Sequence, residues 1–137
     1  MNCLLTAAAT VALAVGAPDF SAYSARGGPT EHPAVVRVVV PERGAMAYGS
    51  GALVAARGQH GLVLTNWHVV RGATGPIHVH FPDGFYSRAV VLRADRDWDL
   101  AALRIARPKV RPIALANRAP QPGEPLTIAG YGSGQYR

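Results

Sequence analysis

From Ala34 onward, apolar residues recur at every second position in short runs, and glycine, proline or Asp-Gly steps separate the runs. That period belongs to strands with one buried face, and the run lengths suit strands better than helices. The pattern predicts strands over 34–40, 49–55, 61–65, 76–81, 87–94 and 100–105, with one helical turn over 69–72. Six short strands joined by turns predict an all-β fold, an antiparallel Greek-key six-stranded barrel that leaves no sheet edge open. Parity assigns Val36, Val38, Leu53, Leu64, Ile77, Val79 and Leu103 to its core. Val91 or Leu92 fills the place on the fifth strand, because 89–94 is apolar on both faces.

The two ends read differently. Residues 3–17 form an alanine-rich apolar run of about 15, the length of a signal-peptide core and short for a membrane span. Its flank has no lysine or arginine, and Pro18 stands against cleavage after Ala17; Ala22-Tyr23-Ser24 offers another small-x-small site. The reading is export, with 1–24 as the signal segment and 25–33 as a glycine- and proline-bearing linker; the alternative is a buried terminal helix. At the other end, 108–122 reads as a connector with a short extended piece at 113–115. Leu126 and Ile128 alternate with Thr127 and Ala129, which predicts one further strand over 124–131.

Composition narrows the class. A chain of 137 residues supports one domain or sub-domain with a modest core. Its only cysteine is Cys3, so the barrel has no disulfide and its core alone must hold it. The net charge of +6 sets 8 acidic residues against 14 basic ones, which are nearly all arginine and scattered singly. A nucleic-acid footprint would gather them and interleave aromatics, so no nucleic-acid partner is expected.

The chemistry is carried by Thr65-Asn66-Trp67-His68-Val69-Val70 and Asp99-Leu100-Ala101-Ala102-Leu103. A serine hydroxyl becomes a useful nucleophile only when a neutral imidazole takes its proton. The other ring nitrogen then needs a fixed acceptor, which a sheltered carboxylate supplies. His68 follows an apolar strand. Asp99 has the parity of Ala101, Leu103 and Ile105, which places it at the mouth of an inward row. Asp95 and Asp97 compete for the role, but only Asp99 directly precedes that row.

These residues resemble the trypsin-like (chymotrypsin-fold) serine protease superfamily, and within it the bacterial HtrA/Deg-type branch. The likeness rests on Gly49-Ser50-Gly51, Leu64 to Val70, Asp83-Gly84, Asp95 to Leu103, and Gly123-Glu124 to Gly130, in that order. It implies that His68 is the general base, that Asp99 is its orienting acid, and that proteins or peptides are the substrates. It also implies that 34–106 is the first barrel of a double barrel and 107–137 a connector with the first strand of a truncated second one. Secreted trypsins carry a cysteine after the histidine, where this chain has Val69. No serine here stands in a Gly-Asp-Ser-Gly-Gly setting, so the nucleophile is expected outside the chain.

Other residues have plainer readings. Ser133 lacks the Gly-x-Ser-x-Gly spacing of a hydrolase elbow and reads as a loop residue. Ser50 belongs to a small-residue strand packed near the histidine. His78 and His80 share one strand face without a third ligand of suitable spacing, so no metal is expected, and no cofactor either. His32 and His60 read as surface residues. Two functions remain: a serine endopeptidase represented by its His/Asp part, and a non-catalytic protease-like module that binds peptides or proteins.

Overall fold

A computed structural model describes residues 31–132, 135 and 136. The expected signal segment, most of the linker, and Ser133 lie outside the described residues. Strands β1 (Val35–Glu42), β2 (Ala45–Arg57), β3 (His60–Thr65), β4 (Ile77–His80), β5 (Tyr86–Asp95) and β6 (Leu100–Ala106) close into a barrel in the order β1-β2-β3-β6-β5-β4. Every neighbouring pair is antiparallel. A one-turn helix, α1 (Trp67–Val70), follows β3. A short hairpin of β7 (Tyr131–Gly132) and β8 (Gln135–Tyr136) lies beyond the connector. The fold is all-β, as the alternation of the sequence predicts.

The interior is built mainly from β-branched residues, which suit a pleated, half-buried surface. Val36, Val38, Val40, Leu53, Val63, Val79 and Leu103 are fully buried, with Ile77, Ala101 and Ile105 beside them. Three expectations need correction. On β3 the inward residue is Val63, and Leu64 faces outward and is half-buried. The inner row there is Gly61, Val63 and Thr65, because Thr65 can turn inward with its hydroxyl donating to the Ser50 carbonyl at 2.7 Å. Neither Val91 nor Leu92 enters the core: they are 40% and 54% exposed. The inner row of β5 is made by Ser87 and Ala89, and a register shift between Val91 and Arg93 then ends its regularity.

The third correction concerns 124–131, which forms no strand before Tyr131. Among the described residues no strand pairs with it, and Leu126 and Ile128 are 69% and 93% exposed. The Tyr131 N–H donates to Ser50 Oγ at 2.7 Å and so ties the end of this stretch to β2.

Glycines in the Gly49-Ser50-Gly51 run serve the site directly. A Cβ on Gly49 would lie 2.6 Å from both methyls of Val69, the residue after His68. One on Gly51 would meet Val63 Cγ1 at 2.8 Å and the Leu64 carbonyl at 3.0 Å. Valine has little rotamer freedom to yield. We expect Gly49→Ala to lower stability by about 1–3 kcal/mol, the usual cost of overpacking, and to shift the His68 ring resonances in NMR. Unchanged stability and shifts would show that α1 packs more loosely on β2 than described.

Candidate active site

Two loops at one end of the barrel bring the chemistry together. The first leaves β3 at Thr65 and becomes α1, so His68 sits inside the helical turn, two residues earlier than the turn predicted from sequence. Val69 and Val70 are buried and fix the turn against the barrel, which leaves the His68 side chain outward. The second loop joins β5 to β6. Asp95 Oδ1 accepts from the backbone N–H groups of Asp97 and Trp98, each at 3.0 Å, and so folds the turn. Asp95 is therefore a turn builder. Asp97 makes no side-chain hydrogen bond among the described residues.

Asp99 completes that turn in the left-handed region, with φ of 47°, the only such non-glycine residue among those described. It thus lies outside the β6 ladder, not in the inward row that strand parity suggested. Aspartate tolerates this region better than most residues, because its short side chain bonds locally. The twist aims the carboxylate across to the first loop. Asp99 Oδ2 lies 2.6 Å from His68 Nδ1, and Oδ1 accepts the His68 backbone N–H at 2.8 Å.

Asn66 adds a third donor. Its Nδ2 lies 3.1 Å from both Asp99 Oδ2 and the Asp99 carbonyl, so it ties the strained residue to the end of β3. An amide one residue past a strand end, facing a left-handed aspartate, has no one-dimensional signature, so nothing in the sequence marks Asn66 for this role. The carboxylate is also less sheltered than expected, since the side chains of His68 and Asp99 are 58% and 40% exposed. Both loops stand proud of the barrel end.

The donors hold the Asp99 carboxyl below its ordinary pKa: the His68 backbone N–H contributes most, then the His68 ring, with Asn66 also lowering it. A depressed carboxylate stabilises the fold above the unfolded-state pKa and loses that contribution as pH falls through the folded value. We expect the Asp99 carboxyl carbon to titrate below 3.8 in 13C NMR, and Asn66→Ala to move the midpoint upward. A midpoint at or above the ordinary value would mean that the three hydrogen bonds do not persist in solution.

With Nδ1–H donating to Asp99, Nε2 carries the lone pair, as a general base requires. No hydrogen bond reaches Nε2 among the described residues. Ser50 Oγ accepts from Tyr131 N–H, and the buried Ser87 Oγ accepts from Ala106 N–H at 2.9 Å. Both serines are therefore structural.

Trp67 is flanked by the guanidinium groups of Arg71 and Arg96, 5.3 and 5.6 Å from its ring centre, which joins the two loops a second time. A concavity of about 260 Å³ adjoins the site, lined by Ser50, Leu64, Asn66, Leu100 and Ala129 among others. His78 and His80 lie half-buried on the outer face of β4, and across the β1–β4 ladder His80 faces Arg37 and His78 faces Val39. Partial burial first, and Arg37 second, hold the His80 pKa below its ordinary value. No group of three or more His, Cys, Asp or Glu suited to a metal occurs among the described residues. His32 is exposed, and its Nδ1 accepts the Ala34 N–H at 3.2 Å; His60 is exposed at the start of β3.

A closed six-stranded barrel with a His–Asp pair on the loops at one end defines the chymotrypsin-like class of β-barrel proteins. The pattern of the trypsin-like peptidase domain matches residues 49–137, and the chain belongs to that family. Among solved structures it is similar to a serine endoprotease from Yersinia pestis, with 34% identity and a TM-score of 0.58. That likeness covers 66% of this chain and 32% of the other, so the chain spans about a third of its relative's length. It agrees with the HtrA/Deg-type character of the motifs. No curated protein matches the sequence.

Proposed function

We propose that this chain supplies the acid–base half of a serine endopeptidase, with His68 as general base and Asp99 as its orienting acid. The observation that carries the reading is the 2.6 Å contact between His68 Nδ1 and Asp99 Oδ2, with Nε2 left to meet a nucleophile. In the proposed reaction a serine from outside these residues attacks the scissile carbonyl as its proton passes to Nε2. The imidazolium then returns that proton to the leaving amine, and Asp99 stabilises its charge without becoming protonated. Backbone N–H groups beside the serine hold the oxyanion. The substrate is a protein or peptide, no cofactor takes part, and the apolar run at 3–17 supports export. No helix of the described residues is long and apolar enough to cross a membrane.

A non-catalytic binding module on the same barrel is the competing reading. The three donors assembled on Asp99 favour the enzyme, because peptide binding alone requires no imidazole locked in one tautomer. The test is a casein or fluorogenic-peptide assay on the chain joined to a serine-bearing carboxy-terminal segment. Turnover abolished by His68→Ala supports the enzyme; peptide binding without turnover supports the module.

A further inference from the structure

At the end of the barrel opposite His68 and Asp99, the chain leaves β6 as Arg107-Pro108-Lys109-Val110-Arg111-Pro112 and runs beneath the β2–β3 turn. Burial alternates along it. Pro108 is buried and Val110 and Pro112 are half-buried, whereas Arg107, Lys109 and Arg111 are exposed. Two bonds fix the start: Arg107 N–H donates to the Gln59 carbonyl at 3.0 Å, and Arg107 Nη1 donates to the Gly58 carbonyl at 3.0 Å. Ile113 N–H donates to the Leu53 carbonyl at 2.8 Å and fixes the far end.

Between these anchors lies a cleft of about 460 Å³ whose walls are Ala56, Gln59 and the segment itself. That volume falls within the ~300–1,000 Å³ of ligand-binding clefts. The charge is of one sign. The charged residues that line it, Arg107, Lys109 and Arg111, are all cations, and no aspartate or glutamate is among its lining residues. These three cations thus come from a single stretch of six residues.

We propose that this cleft is a docking site for an acidic peptide segment of a partner protein, independent of the His68–Asp99 reading. Carboxylates suit the three cations, arginine pairing with them in bidentate fashion. Pro108, Val110 and Ala56 give the cleft apolar walls for an aliphatic residue between the acids. A single-stranded nucleic acid fits less well, since no aromatic side chain lines the cleft to stack a base. The cleft and the His–Asp pair stand at opposite ends of β3 and β6, separated by ~20 Å of strand. One polypeptide can therefore be held at the first while another segment of it reaches the second.

Fluorescence anisotropy of the whole chain with a labelled peptide of alternating Glu and Val, at ~50 mM salt where surface charges are weakly screened, tests the proposal. Saturable binding is expected. Lys109→Glu with Arg111→Glu should weaken it at least ~10-fold, and Lys109→Ala with Arg111→Ala should weaken it less. A control with the same change in net charge, Arg43→Glu with Arg93→Glu, should leave affinity within ~2-fold. Equal loss in both Glu pairs would overturn the site in favour of general charge attraction. Tighter binding of a single-stranded oligonucleotide or an anionic vesicle of matched charge would overturn the peptide assignment.

Discussion

On the proposed function, Asp99→Asn should lower kcat of the chain joined to a serine-bearing segment by about 10⁴, and His68→Ala should remove activity to the level left by oxyanion stabilisation and binding alone. Asparagine is the informative replacement at 99. It has the same size and accepts the left-handed backbone, so the loop holding φ of 47° keeps its shape. Its amide can turn either an oxygen or an N–H toward His68. The Oδ1 position already accepts the His68 backbone N–H at 2.8 Å, which holds the amide oxygen there and presents the NH2 to the ring. His68 Nδ1 must then accept, so the proton moves to Nε2, where it can take none from serine. The fall should appear in kcat with little change in KM, because neither group binds the ground-state peptide. A variant keeping more than a tenth of wild-type kcat would remove Asp99 from the mechanism.

The second large effect is on stability. Leu103→Ala should cost about 2–5 kcal/mol, the range for a buried leucine truncated in a core that relaxes only partly. Leu103 is fully buried, and its ladder partner Val63 is also fully buried. β-branched neighbours yield little, so most of the cavity should persist. Small domains have a total stability of ~5–15 kcal/mol, so this one truncation should shift the urea midpoint well outside error. Outward Leu92, 54% exposed, is the control, and Leu92→Ala should stay within about 0.5 kcal/mol. Similar costs at the two positions would mean that the barrel interior is not the principal source of stability.

Much of the barrel was legible from alternation and turn residues, because an antiparallel strand with one buried face writes its period into the chain. Val36, Val38, Leu53, Ile77, Val79 and Leu103 all lie where parity placed them. Parity failed where side-chain chemistry outweighed hydrophobicity: Thr65 turns inward because Ser50 offers it an acceptor, and it sends Leu64 out. It failed again on β5, where a bulge changes which residue faces in and an all-apolar stretch conceals the change. The tail at 124–131 shows a third limit, since a strand pattern records a preference for pairing and cannot supply the pair.

At the candidate site, His68 and Asp99 were legible as motif members, and the structure places them within hydrogen-bond distance. Their catalytic roles remain the proposal tested above. What the sequence hid was the manner of assembly. Asn66 reaches Asp99 across 33 residues of sequence, and a backbone twist at a turn, not the pleat of a strand, aims the carboxylate.

That twist bears on which acid can serve at all. Glutamate carries the same charge and could reach the imidazole from many loops, but its longer side chain lacks the local bonding that lets aspartate occupy left-handed backbone. Glycine and asparagine suit the backbone and bring no carboxylate. Of the amino acids with the necessary charge, only aspartate meets both demands at position 99. The conformation of one peptide unit therefore selects the amino acid there as firmly as the proton chemistry does.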